Sequence, residues 1–152
     1  MSEESLGRWV SLLHRYFHIY LAAELAPYDI GRGQALFLIS LYHLEGMTQD
    51  ELAARLYMDK STTARAMEKL QKAGYVHKVP GEKDMRCKRI FLTARAREME
   101  PQVKQILGRW TDILSADLSP EEFQQALHLL QRMAQNAVSH IQDAPKIRMG
   151  PS

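Results

Sequence analysis

With one cysteine in 152 residues, Cys87, the chain has no partner for an intramolecular disulfide. Six prolines and eight glycines are scattered through it, so no low-complexity linker divides the chain. No apolar run approaches the roughly 20 residues that a membrane span requires. The start, Met1-Ser2-Glu3-Glu4-Ser5, is polar and acidic, without the basic stretch and small-residue cleavage site of a secretory leader. The chain is therefore expected to be soluble and cytoplasmic, with no membrane partner. Enzyme signatures are missing as well. There is no glycine-rich phosphate loop, no strand-embedded nucleophile and no Cys/His metal cluster. Neither catalysis, nor a cofactor, nor a metal is expected.

What is present is globular. The chain is 45% hydrophobic and 25% charged, enough apolar material for one ordinary domain or one domain with extended arms. The net charge of +2 hides an uneven distribution. Between Lys60 and Arg89, nine cations face three carboxylates, which leaves that stretch at +6 and the remainder at −4. A basic middle between acidic ends suits a segment that faces a polyanion. A solvated lysine-rich surface would read the same way.

The apolar spacing gives the elements. Leu6, Trp9, Val10, Leu13, Phe17, Tyr20 and Leu21 recur at helical period over 6–26, and Pro27 stops that helix. Residues 32–44 read as a second helix, apolar on most sides, ended by Gly46. Thr48-Gln49-Asp50-Glu51 is a capping box that opens a short helix with Leu52, Ala53 and Leu56 behind it. Tyr57-Met58-Asp59 makes a turn. Asp59 or Ser61 then caps a helix over 60–73, whose Ala66, Met67 and Leu70 face inward and which Gly74 stops. The period next becomes alternating. Residues 75–79 and 88–92 read as two strands, joined by a charged, turn-forming tip at 80–86 that is expected to be mobile. Thr93 caps a long helical segment to about Ala116, with a kink or break expected at Pro101. Ser119-Pro120-Glu121-Glu122 is a second capping box. It opens a last helix striped by Phe123, Leu127, Leu130, Met133, Ala134, Ala137, Val138 and Ile141. The expected fold is mainly α, a winged helix-turn-helix with flanking helices and a small antiparallel β-hairpin wing. Its parts are an N-terminal helix and supporting helix (1–46), a winged helix-turn-helix lobe (47–93), C-terminal helices (94–143) and a disordered tail (144–152).

Two short helices, a tight turn and a hairpin leave one face of the helix at 60–73 bare. That face is expected to carry Lys60, Ser61, Thr62, Thr63 and Arg65 at its leading end, with Lys69 and Lys72 further along. Small hydroxyls with one or two cations suit the N-terminal end of a helix entering the major groove, and free helix amides there favour phosphate. Lys69 suits a backbone phosphate. At the hairpin tip, Lys83 and Arg86 lie where a wing meets the adjacent minor groove. Asp84 is expected to pair with Arg86 or another cation and hold the tip in shape.

The run Met47-Thr48-Gln49-Asp50-Glu51-Leu52-Ala53 is followed by Asp59-Lys60-Ser61-Thr62-Thr63-Ala64-Arg65 and Leu70-Gln71-Lys72-Ala73-Gly74-Tyr75-Val76. It closes on Asp84-Met85-Arg86-Cys87-Lys88-Arg89-Ile90-Phe91-Leu92-Thr93. Together these resemble the multiple-antibiotic-resistance regulator (MarR) family, and the Asp-x-Arg before the strand and Leu-Thr is the most specific element. The resemblance implies a homodimer built by the first and last helices, which makes the flanking helices dimerisation helices and 47–93 the DNA-binding lobe. It implies binding to a pseudo-palindromic operator on double-stranded DNA, usually as a repressor. Carried over by position, Ser61, Thr62, Thr63 and Arg65 read bases, and Arg86 touches DNA from the wing with Asp84 in support. Two departures stand out: Ala64 where a hydroxyl is common, and Ala96 where a glycine is common.

Other residues have competing readings. His14 and His18 are four apart, as a metal pair would be, but a polar stripe at the dimer interface is the favoured reading. Cys87 lies beside Arg86, Lys88 and Arg89, which would lower a thiol pKa, yet a spectator role is favoured. Tyr16, Tyr42 and Trp110, with Arg15 as cation, are the candidate lining of a cavity for a small aromatic or phenolic effector, against plain core packing. A protein-interaction adaptor on the same scaffold is the alternative function.

Overall fold

The computed structural model describes residues 4–143; the tail expected to be disordered, 144–152, lies outside the described residues. The elements run α1 (Leu6–Leu25), a 3₁₀ turn (Ala26–Tyr28), α2 (Ala35–His43), β1 (Met47–Thr48), α3 (Gln49–Arg55) and α4 (Lys60–Lys72). Then come β2 (Val76–Pro80), β3 (Lys88–Leu92), α5 (Ala94–Leu114) and α6 (Pro120–Asp143). The chain forms two compact units, Met1–Trp110 and Thr111–Ser152.

In the first unit, every element contributes to one core. Leu21 and Leu25 of α1, Phe37, Leu38 and Leu41 of α2, and Leu52 of α3 are buried in it. So are Met67 and Leu70 of α4, Val76, Ile90 and Leu92 of the strands, and Val103 and Ile106 of α5. Each such side chain contributes roughly 1.5–3 kcal/mol on leaving water. Three tyrosines bury their rings or their stems and give their hydroxyls to distant carbonyls. Tyr20 donates to Ile106 O (2.7 Å), Tyr42 to Ala96 O (2.6 Å), and Tyr75 to Tyr28 O. Those bonds satisfy the one polar atom that each large side chain takes inside.

The sheet corrects one expectation. It has three strands, not two, in the order β1-β3-β2, all antiparallel. Met47 pairs with Ile90 and Thr48 with Arg89. Two residues are too few to show an alternating pattern, so β1 had no sequence signature. β2 also starts one residue later than expected. Tyr75 instead closes α4: its N–H bonds to Leu70 O (2.9 Å) while Gly74 N–H bonds to Gln71 O (3.1 Å). That is a Schellman closure, which requires the left-handed φ of +85° found at Gly74. α2 is shorter than expected, because residues 32–34 form a turn. α5 runs unbroken through Pro101, which is exposed, so the carbonyl that loses its helical bond can turn to water.

In the second unit, α6 opens on the expected capping box. Ser119 N–H donates to Glu122 Oε1 (3.0 Å) and Glu122 N–H to Ser119 Oγ (3.1 Å). No described residue of α6 is buried, and Leu127, Leu129, Leu130, Met133 and Ile141 are exposed.

Candidate nucleic-acid interface

Four residues, 56–59, join α3 to α4. The capping box at the head of α3 is formed on both sides, Glu51 N–H to Thr48 Oγ1 and Thr48 N–H to Glu51 Oε2, each 3.2 Å. Tyr57 takes a left-handed φ of 53° and reverses the chain, with its N–H on Ala54 O and that of Met58 on Ala53 O. Asp59 then caps α4. Its Oδ1 accepts Thr62 N–H (2.7 Å) and the Ser61 hydroxyl (2.8 Å), and its Oδ2 accepts the Thr62 hydroxyl (2.7 Å). These bonds, the Thr62 amide first, hold the Asp59 carboxyl at about 2. The charge of Asp59 therefore occupies this helix terminus, and the amides of Thr62 and Thr63 are already taken. The helix terminus that would favour phosphate is thus already met by a carboxylate.

The face of α4 divides cleanly. Thr63, Ala66, Met67 and Leu70 are buried; Lys60, Ser61, Arg65, Glu68, Lys69 and Lys72 are exposed. Thr63 corrects an expectation: it is 0% exposed and its hydroxyl donates to Asp59 O (2.9 Å). It sits one helical turn before Met67, on the inward stripe, and cannot reach a ligand. Thr62 is half-buried, and its Oγ1 also accepts Arg65 Nη2–H (3.3 Å). Lys60 lies 3.4 Å from Asp50, an exposed pair that leaves its ammonium accessible.

The wing tip is built round Asp84. Its Oδ1 accepts Arg86 N–H (2.9 Å), its carbonyl accepts Cys87 N–H (3.1 Å), and the Cys87 thiol points at Oδ2 (3.8 Å). Asp84 thus shapes the tip through the main chain of Arg86 and not through its guanidinium. Gly81 closes the other side, with its N–H on Cys87 O (3.0 Å). A Cβ there would lie 2.8 Å from that same carbonyl oxygen, so no other residue fits without movement. Lys83, Met85 and Arg86 are left exposed, and no carboxylate pairs with Lys83 or Arg86 among the described residues.

Two residues hold this lobe together although no local sequence pattern gives them that role. Arg89 Nη1–H donates to Gly46 O (2.8 Å) and lies 3.8 Å from Glu51, tying the wing to α3. Glu45 accepts Leu92 N–H and pairs with Arg97. An acid directly before Gly46 was the only available signal.

The four candidate effector residues have different surroundings. The Tyr42 hydroxyl is engaged by Ala96 O, and burial first, then Glu100 and Tyr75, pushes its pKa well above the ordinary value of 10. Trp110 stacks on Tyr20, centroids 5.1 Å apart, and lies 5.6 Å from Phe17. Tyr16 is exposed on α1. Arg15 alone borders a groove, an open one, shared with Ser11, His14, His18, Arg32 and Gly33. The rings of His14 and His18 touch edge to face at 4.4 Å. Burial, then His14 and Arg32, lowers the His18 pKa from 6.5. Among the described residues, no third His, Cys, Asp or Glu joins the pair to make a metal site.

Comparison with known proteins agrees with this geometry. The MarR family profile matches residues 30–88. An HTH-type transcriptional regulator of Bacillus subtilis (strain 168), YybA, is 28% identical over 129 residues, 85% of this chain and 86% of that one. The crystal structure of a MarR transcriptional regulator from Methanosarcina mazei Go1 is 38% identical, with a TM-score of 0.85 over 88% of this chain and 96% of that one. A mutant MarR from E. coli, crystallised with operator DNA, is 26% identical, with a TM-score of 0.74 over 84% of this chain and 92% of that one.

Proposed function

Because the chain belongs to the MarR family of transcriptional regulators, we propose that it represses transcription by binding a pseudo-palindromic operator as a homodimer. The leading turn of α4 enters the major groove and the wing meets the neighbouring minor groove. The observation that carries this reading is the division of α4. Its apolar stripe is consumed by the core, while Ser61, Arg65 and Lys69 stand exposed on the opposite face with half-buried Thr62 among them. Arg86 and Lys83 on the hydrogen-bonded tip extend the cationic surface by one further element. The operator complex of the E. coli relative supports the same use of the fold.

Self-association is supported by apolar side chains that stand exposed among the described residues. Along α6, Leu127, Leu130, Met133 and Ile141 are exposed; along α1, Leu6, Val10 and Leu13 are exposed. A helix of 24 residues with no buried member has little to hold it folded without a partner. The effector that releases the dimer is a small aromatic or phenolic compound. Arg15, with Arg32 beside it in the α1 groove, is the cation that meets an acid group on it.

The test is recovery of bound fragments from sheared genomic DNA, followed by sequencing and by binding at rising salt. The expected result is one enriched inverted repeat, bound with an affinity that falls linearly on a log–log salt plot. A chain that enriches no sequence, or binds only protein partners with no dependence on salt, is an adaptor and not a regulator.

A further inference from the structure

We propose that Asp59 fixes the base preference of the recognition helix by taking the hydroxyl protons of Ser61 and Thr62. Both then face the major groove as acceptors alone, and they select a base that offers an exocyclic amine, adenine or cytosine. The inference rests on the DNA-reading role given to this turn above.

The proton count forces it. Ser61 Oγ lies 2.8 Å from Asp59 Oδ1, and Thr62 Oγ1 lies 2.7 Å from Oδ2. An ionised carboxylate has no proton to give, so the hydrogen in each contact comes from the hydroxyl. Each hydroxyl owns one proton, and it is spent. What remains on each oxygen is lone pairs. On Thr62, one of them already takes Arg65 Nη2–H at 3.3 Å. Ser61 is exposed and keeps its own. The Asp59 carboxyl, held at about 2, stays ionised throughout the neutral range.

In the major groove, adenine N6 and cytosine N4 present donors, whereas guanine O6 and N7 and thymine O4 present acceptors. A hydroxyl free to rotate reads either kind. One whose proton is committed reads donors only, and set against guanine O6 it leaves two facing lone pairs unsatisfied. Phosphate is disfavoured at this turn for the same reason, and the charge of Asp59 adds to that. Arg65 has the opposite character. Its guanidinium has only donors, and its fork suits guanine O6 and N7. The leading turn therefore presents an acceptor pair beside a donor fork. Asp59 is a positioning residue in this scheme and does not itself touch DNA.

Asp59→Asn separates this role from simple capping. Asparagine caps helices as well as aspartate does. Its amide, however, gives one accepting and one donating group, so one hydroxyl proton is set free. Randomised duplex is selected with the wild-type chain and with Ser61→Ala, Thr62→Val and Asp59→Asn, each checked for an unchanged Tm. The position flattened by Ser61→Ala or Thr62→Val is expected to hold adenine or cytosine in the wild-type pool. Replacing that base by its analogue without the amine (purine for adenine, 2-pyrimidinone for cytosine) is expected to weaken wild-type binding roughly tenfold. Asp59→Asn is expected to lose that penalty and to admit guanine or thymine. If Asp59→Asn melts early, the amine deletions in the wild-type chain decide the matter alone.

Guanine or thymine at that position overturns the inference. So does an amine whose removal changes nothing, a folded Asp59→Asn that keeps the wild-type preference, or a pool whose enriched positions ignore both hydroxyl deletions. All four leave the regulator reading standing. A pool with no enriched position overturns both.

Discussion

Glu45 and Arg97 lock the end of α2 to the first turn of α5: a guanidinium nitrogen lies 2.5 Å from one carboxylate oxygen, and the other oxygen accepts Leu92 N–H at 2.9 Å. One side chain thus joins a helix end, the last residue of the wing strand and the helix that follows. Burial alone would raise the Glu45 pKa. The Leu92 amide and Arg97 outweigh it and hold the carboxyl below 4.5. A depressed folded pKa means that this contribution is present above about pH 4.5 and is lost as pH falls through the folded value. Replacing Glu45 by Gln keeps an acceptor for the Leu92 amide but removes the charge that strengthens that bond and pairs with half-exposed Arg97, and should destabilise the chain by about 1 kcal/mol at pH 7. The difference between wild type and variant, read by urea denaturation, should shrink on acidification. A constant difference down to pH 3 would contradict the assignment.

Thr63 and Ser61 stand two residues apart on opposite faces of α4, so their substitutions should part company. Thr63→Val removes a buried hydroxyl and orphans nothing charged; the expected effect is a loss of about 1 kcal/mol of stability with base preference intact. Ser61→Ala should leave Tm where it is and change base preference. Thermal melts and a competition binding assay on both variants decide it, and the reverse pattern would mean that the face of α4 has been misjudged.

The His14–His18 pair makes an acid-sensitive joint. The groups facing it are Arg15 on the same helix and Arg32 across the groove, both cationic, and no carboxylate borders the groove among the described residues. With the folded His18 pKa lowered below 6.5, first by burial and then by His14 and Arg32, the neutral form is the one the fold prefers. Stability is full above about pH 6.5 and falls as pH drops through that value toward the folded pKa. His18→Gln should remove this part of the pH dependence in urea melts between pH 7.5 and 5. A wild-type profile that stays flat across that range would dismiss the joint.

The uncovered stripe of α6 predicts self-association. Leu130→Asp places a charge in its middle and should turn a dimer into a monomer of 17.5 kDa. Sedimentation equilibrium at micromolar concentration measures it. A wild-type chain that sediments as a monomer removes the two-headed mode of DNA binding.

Much of this was legible in residue types that act locally. The capping boxes at Thr48 and Ser119 formed as their spacing required, and Gly74 stops α4 with a φ of 85°, whereas α2 ends at the extended backbone of Leu44, two residues before Gly46. The alternation of the wing strands was legible for the same reason. What escaped depends on long-range placement. β1 exists only because β3 lies beside it. Thr63 looks like its hydroxyl neighbours until the 3.6-residue period places it under Met67. Tyr42, Trp110, Tyr16 and Arg15 share a chemistry without sharing a place, since Tyr42 answers to Ala96 and Trp110 to Tyr20. Glu45 and Arg89 act across 40 residues or more, and no local pattern marks such pairs.

In the proposed complex, Arg65 and Arg86 meet DNA from two different elements of one lobe. The measurement is the affinity of wild type, Arg65→Ala and Arg86→Ala for the recovered operator and for a scrambled duplex, by fluorescence anisotropy over a range of salt. Arg65→Ala is expected to lose roughly ten- to a hundredfold on the operator and little on the scrambled duplex. Arg86→Ala should weaken operator binding and lower the salt slope by about one per protomer, with Tm unchanged in both. Operator binding that matches wild type in both folded variants would contradict the account.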